Sequence, residues 1–388
     1  MTRICFLFNH DQLHQVAHSL PIALALAEAG GAEVTLAVAS EALATHVRRL
    51  AGNRLAACRL VRLSLSSPVT RSLAGVLERL VPARKILLYS DNLAFFRQFD
   101  ALVVSEKTSL LLKTRLGLDR LRIIHTRHGA GDRAIGFGRE SALFDLVLVS
   151  GPKIARRLQA EAGLDPARIR IVGYPKFDLF ADAPPIALPF PDPTRPVALY
   201  APHPSPRLSS WFDMGQQVLD AFAASDRFNL IFAPHVMLFQ RRWTVTISPP
   251  AVRRMRWPDR HGASNILMDL GSAASSDMSY TNRADLYIGD VSSQIYEYLR
   301  HPRPCLALDA HGVDWQGNAD YAHWQAGPVA GPGVDIIAAS EQAMATHANY
   351  LPAQQALLAD TFSVTDRPSA VRSAEAITSF LAQENARD

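Results

Sequence analysis

Three short segments of this 388-residue chain combine residue types that can do chemistry on a phosphorylated substrate. The first runs Ile123-Ile124-His125-Thr126-Arg127-His128-Gly129-Ala130-Gly131-Asp132-Arg133. Its apolar start reads as a strand, which places His128 at a strand's carboxyl end, where an imidazole is positioned for general-base work on an acceptor hydroxyl. Gly129 and Gly131 permit close backbone approach, and Arg127 and Arg133 suit a phosphate. The same pattern also fits a glycine-rich turn whose histidine only satisfies backbone groups. The second segment, Asp285 to Glu297, reads as a strand to Ile288, a small-residue turn and a helix from Ser293. Backbone N–H groups at Ser292 and Ser293 then face outward at a positive helix end, an anion site that needs no metal; an ordinary serine N-cap fits as well. One turn on, Glu297 is placed to accept from ribose hydroxyls, or simply to be solvated. The third segment, Leu230 to His235, again ends a strand at a histidine.

The elements needed to position these residues are legible. Short β-branched runs alternate with helical patterns, which predicts an α/β fold of parallel sheets built from βαβ units. Strands are expected at 4–8, 33–39, 101–104, 122–125, 146–149 and 169–172, with a helix over 16–29 stopped by Gly30-Gly31. Six prolines between Pro184 and Pro196 interrupt the pattern, since proline continues neither a helix nor a central strand. The alternation then resumes, with strands at 197–200, 229–233, 265–269, 286–288 and 305–308 and helices at 213–224, 293–300 and 370–382. The expected organisation is an N-terminal Rossmann-like acceptor domain (1–183), a Pro-rich linker (184–196), a C-terminal Rossmann-like nucleotide-donor domain (197–366) and a C-terminal helix and tail (367–388). The last helix is expected to pack back on the N-terminal domain, with ligand held between facing domains at the strands' carboxyl ends.

At these segments the chain resembles the CDP-glycerol glycerophosphotransferase family, which is related to teichoic-acid primases and polymerases. The family's His-Gly-Thr-x-x-Lys segment is similar to residues 128–133, its Gly-Tyr-Pro-Arg-x-Asp to Gly173-Tyr174-Pro175-Lys176-Phe177-Asp178, its Leu-Tyr-Ala-Pro to Leu199-Tyr200-Ala201-Pro202, and its Asp-x-Ser-Ser to Asp290-Val291-Ser292-Ser293. Asp366, Ser369 and Arg372 resemble its final helix start. The resemblance implies a GT-B fold of two Rossmann-like domains across a cleft, no required metal and no cofactor beyond a nucleotide-activated donor. It implies His128 as base and His235 as phosphate ligand or acid, with Pro202, His203, Asp290 and Arg372 on the donor side. The departures are Ala130 for Thr, Arg133 for Lys, Ala233 in place of a basic residue and His203 where the family has Thr or Trp.

The implied function is transfer of a polyol phosphate from a CDP-alcohol to a glycan or lipid-linked glycan acceptor, releasing CMP. The alternatives are a GT-B glycosyltransferase or a UDP-GlcNAc 2-epimerase-like enzyme using a nucleotide sugar, and, from another class, a non-catalytic nucleotide-binding or scaffold protein. No Asp-x-Asp segment is present to carry a divalent ion. His10 and His14, with His18, recur at helical spacing; a turn carrying acceptor-side ligands is preferred there to a metal site. Net charge +4 gives no general nucleic-acid signature. A basic stretch from Arg241 to Arg260, interleaved with Trp243 and Trp257, suits an anionic polymer, lipid headgroups or plain solvation. Three dispersed cysteines and no apolar run of spanning length indicate a cytoplasmic protein, with peripheral contact at the inner membrane face left open.

Overall fold

The computed structural model describes residues 1–10, 12–65, 83–127, 129–132, 134–247 and 250–386. Contacts divide the chain into two units, one of residues 1–129, 137–179 and 360–388, the other of residues 130–136 and 180–359. The glycine-rich stretch 130–136, read from sequence as part of the first domain, thus packs with the second unit.

In the first unit the described strands are β1 (Thr2–Phe8), β2 (Ala32–Val38), β3 (Arg59–Arg62), β4 (Ala101–Val104), β5 (Arg122–His125), β6 (Leu146–Val149) and β7 (Ile169–Ile171). They form one parallel sheet in the order β3-β2-β1-β4-β5-β6-β7. Because side chains alternate across a strand, β1 feeds two cores: Ile4, Phe6 and Phe8 enter one, Cys5 and Leu7 the other. The final helix, Ser369–Asn385, places Ala370, Ala374, Ile377 and Leu381 in the first of these cores, so it does pack back on the N-terminal sheet.

The second unit has β8 (Val197–Tyr200), β9 (Asn229–Phe232), β10 (Trp243–Ile247), β11 (Pro250–Arg254), β12 (Ile266–Met268), β13 (Leu286–Gly289), β14 (Cys305–Leu308) and β15 (Val329–Ala330). Six of them make a parallel sheet, β12-β9-β8-β13-β14-β15, while β10 and β11 pair only with each other as an antiparallel hairpin. Residues 184–196 carry neither helix nor strand.

Three expected helices differ, each for a local reason. The helix expected over 16–29 is a 3₁₀ segment, Leu13–His18, followed by an α-helix, Leu20–Ala29. Pro21 sits in the first turn, where it is tolerated, and its ring would collide with the carbonyl of Ala17 in a continuous helix. The helix expected over 213–224 opens as a π turn, Trp211–Gly215, before the α-helix Gln216–Ala223. Gly215 leaves the space that the Trp211 indole fills, since a Cβ there would overlap the ring. The helix expected over 293–300 spans only Gln294–Tyr298; Pro302 disfavours helical geometry at His301 and stops it early.

Candidate functional site

In an open parallel sheet, ligands bind beyond the carboxyl ends of the strands where the winding reverses. The orders above place those reversals between β1 and β4 in the first unit, and between β8 and β13 in the second. Polar residues collect at both.

Beyond β8 and β13 the organising group is Asp290, fully buried at the end of β13. Its Oδ1 accepts from the backbone N–H of His203 (2.9 Å) and Val291 (2.7 Å); its Oδ2 accepts from Ser210 N (2.6 Å) and Ser210 Oγ (2.9 Å). Burial pushes this carboxyl up to about 6, and the four hydrogen bonds only partly offset it. A carboxylate so occupied organises the surrounding turns rather than touching a phosphate. The chain leaving β8 turns at Pro202, whose carbonyl accepts from His235 N (3.1 Å). His203 and His235 thus stand side by side, ring centroids 6.2 Å apart. Each ring takes a backbone N–H on Nδ1: His203 from Ser205 (3.0 Å), His235 from Met237 (3.3 Å). An imidazole accepting at Nδ1 carries its proton on Nε2, so both rings are neutral with an N–H donor at the far end. Two such donors suit phosphate oxygens.

A second layer lies beneath. His323 Nδ1 meets Asp132 Oδ2 at 2.9 Å, and His323 Nε2 meets the Asp290 carbonyl at 2.9 Å. The ring is thus held at both nitrogens, between the Asp132 carboxyl and the Asp290 carbonyl. The Tyr296 hydroxyl donates to the same Asp132 oxygen (2.6 Å), and Trp324 Nε1 to the Asp290 carbonyl (3.0 Å). A Cβ at Gly131 would meet Ser293 Cβ at 3.1 Å, so this glycine permits the loop to lie against the 290–293 turn. Ser293 is exposed there. Ser292 is buried, and its hydroxyl accepts from Gln294 N (3.3 Å) one residue ahead of the helix's N-cap, Ser293. The five-residue helix that follows carries little macrodipole, and Glu297 is buried in it.

Beyond β1 and β4, His10 Nδ1 faces Glu106 Oε1 at 3.4 Å, and Lys85 Nζ lies 3.0 Å from both Glu106 oxygens. Burial alone would raise the Glu106 carboxyl; the His10 hydrogen bond and the charge of Lys85 outweigh it and bring it down to about 2. His10 Nε2 is buried and has no hydrogen-bond partner among the described residues. Asn9 donates to the Tyr89 hydroxyl (2.7 Å) beside it. His14 lies in the 3₁₀ segment, and the His18 ring packs on Tyr174 at 5.3 Å, so the three histidines share no helix face.

The remaining residues singled out from sequence divide clearly. Arg127 belongs to the first unit, where its guanidinium lies 4.7 Å over the Phe137 ring; burial and nearby Arg157 pull it down to about 10. With Thr126, Gly129 and Gly173 it lines a small cavity of about 20 Å³. Arg372, expected on the donor side, donates in the first unit to Ser363 O (2.7 Å), Ser363 Oγ (2.8 Å) and Ile171 O (3.3 Å). Asp178 explains this neighbourhood: its carboxylate accepts from Ser369 N (3.1 Å) and Ala370 N (2.6 Å), capping the last helix from afar. Gly173, at φ +88°, has no room for a Cβ beside Ser369 Oγ. His128 and Arg133 lie outside the described residues. Sequence reasoning missed Asp132, Ser210, Tyr296, His323 and Glu106; for Glu106 alone a signal existed, its place just after an expected strand.

Two Rossmann-like α/β units, each with polar groups at the reversal of its sheet, define the GT-B class of fold. Solved structures agree. The wall teichoic acid polymerase TagF aligns with 99% of this chain and 89% of its own at a TM-score of 0.61 and 14% identity. A putative UDP-N-acetylglucosamine 2-epimerase from Listeria monocytogenes aligns over 100% and 97% at 0.56 and 11% identity. The calicheamicin glycosyltransferase CalG4 aligns over 98% and 99% at 0.54 and 14% identity. No family model and no curated protein matches the chain.

Proposed function

We propose that the chain is a transferase whose nucleotide-activated donor binds in the second unit, with its pyrophosphate against His203 and His235. The observation that carries this is the pair of neutral imidazoles at the β8–β13 reversal, each fixed as an Nε2–H donor by a backbone N–H on Nδ1. Exposed Ser293 and the adjacent backbone add donors. Asp290, Asp132 and His323 hold these turns in place, which is electrostatic preorganisation.

The finer reading is polyol-phosphate transfer from a CDP-alcohol, supported by the sequence resemblance and by the fold shared with TagF, one of whose solved structures was soaked with CDPG. The acceptor hydroxyl, losing its proton to His128, attacks the β-phosphorus; the bond from that phosphorus to the bridging oxygen breaks, and its electrons leave with CMP. A nucleotide-sugar reaction is the second reading, favoured by the equally complete alignment with a glycosyltransferase and a 2-epimerase. A glycan acceptor and a cytoplasmic setting belong to the same proposal. Product analysis separates the readings: CMP from CDP-glycerol supports phosphoryl transfer, whereas release of a nucleoside diphosphate from a nucleotide sugar replaces it with glycosyl chemistry. Failure of every nucleotide to raise the melting temperature refutes both, because a ligand at a hundredfold excess over Kd stabilises by about 2.7 kcal/mol.

A further inference from the structure

The π turn Trp211–Gly215 and the segment 252–256 wall a hollow of about 470 Å³ in the second unit. Pockets for small organic ligands span about 300–1,000 Å³. The two walls are fastened together. Trp211 Nε1 donates to the Arg256 carbonyl (3.2 Å), and the Gln216 carboxamide both donates to Asp259 O (2.7 Å) and accepts from Asp259 N (3.1 Å). Met255 is buried in the core of the unit, which pins the backbone between Arg254 and Arg256. A π turn is an uncommon geometry, frequent at functional sites. Neither His203 nor His235 lines this hollow.

Charge and surface indicate what it takes. Three arginines border it, Arg253, Arg254 and Arg256, against one carboxylate, Asp213. Asp213 is occupied by Arg253 at 3.0 Å, and His311 Nδ1 approaches its other oxygen at 3.9 Å. Arg254 and Arg256 are exposed, and neither forms an ion pair among the described residues. The hollow thus offers two positive charges, the complement of a phosphomonoester, which carries about −1.5 to −2 at neutral pH. Guanidinium forks also match phosphate oxygens in shape. Part of the lining is apolar, from Trp211, Phe212 and Met214. A bare anion would leave that surface unused, whereas an organic body attached to the phosphate covers it.

We propose that this hollow is a second ligand site, for a small phosphomonoester, with its phosphate on Arg254 and Arg256 and its organic body against Trp211 and Phe212. Calorimetric titration of the full chain tests it, with adenosine monophosphate, glucose 6-phosphate and inorganic phosphate as probes. The background carries His203→Ala and His235→Ala, which removes the donor pair and leaves the hollow's lining intact, so the proposal stands independently of the donor reading. One of the two esters is expected to bind there at one per chain, and the preferred one tells a planar base from a polyol body. A hydrogen bond to a charged group contributes about tenfold. Arg254→Gln with Arg256→Gln should therefore weaken that binding about a hundredfold, with far-UV circular dichroism unchanged. Binding of neither ester overturns the proposal, as does binding indifferent to both arginine substitutions. An ester bound by the wild-type chain and lost in the histidine background belongs to the donor pair, which overturns it too. Inorganic phosphate binding as tightly as the ester has the same force, since the apolar lining would then play no part.

Discussion

Replacing Glu106 by Gln isolates the electrostatics at the first unit's sheet reversal. The folded carboxyl lies near 2, against an ordinary 4.5. A depressed carboxylate stabilises the fold above its unfolded pKa, and that contribution disappears as pH falls through the folded value. At 1.36 kcal/mol per pH unit, the gap of about 2.5 units is worth about 3 kcal/mol at pH 7, an upper figure because the side chain keeps some solvent contact. Evaluated at pH 3.5, the same relation leaves about 2 kcal/mol. Glu106→Gln should therefore destabilise the first unit by about 3 kcal/mol at pH 7 and by about 1 kcal/mol less at pH 3.5. Urea unfolding can assign the loss. All five tryptophans fall in the second unit, so a circular-dichroism transition without a fluorescence change reports the first. A loss identical at the two pH values would show that Glu106 acts through packing, and the ion-paired account of His10, Glu106 and Lys85 would fail.

The sign reverses at Asp290, whose raised pKa makes the second unit lose stability as pH climbs from about 4 through about 6; Asp290→Asn should flatten that slope in fluorescence-detected unfolding. Removing His323 leaves buried Asp132 without one of its hydrogen-bond partners, so His323→Ala should cost about 1–3 kcal/mol, and adding Asp132→Asn should cost less than the sum; additive losses would show that the two side chains do not act together. Asp178→Ala removes two acceptors at the start of the last helix, for a loss of about 1–2 kcal/mol and faster amide exchange at Ser369 and Ala370; unchanged exchange would mean another group caps that helix.

The strands were the legible part of this fold because parallel strands buried on both faces appear as short continuous apolar runs; β4, β5, β6, β8 and β14 fall where the runs are. Boundaries slipped where one residue overrides periodicity, at Pro21, Gly215 and Pro302. The hairpin was read only as basic composition, since its arginines and prolines hide the alternation. His203 and His235 were visible as polar residues after strands, but their Nε2–H tautomers depend on local backbone turns. The Asp132–His323 contact joins residues 191 positions apart, and no local pattern announces it. Asp178 and Arg372, in segments that resemble a family's motifs, fasten the last helix to the first unit, a role that no local pattern announces.

The central claim is that two imidazoles in the second unit hold the pyrophosphate of a nucleotide-activated donor. Calorimetric titration of CDP-glycerol into the full chain tests it directly, with His203→Ala and His235→Ala combined in one variant and His235→Gln in another. The account predicts one site, competed by CMP, lost in the double alanine variant and largely retained by glutamine, whose amide N–H substitutes for Nε2–H. Binding of equal strength in the double alanine variant would contradict it.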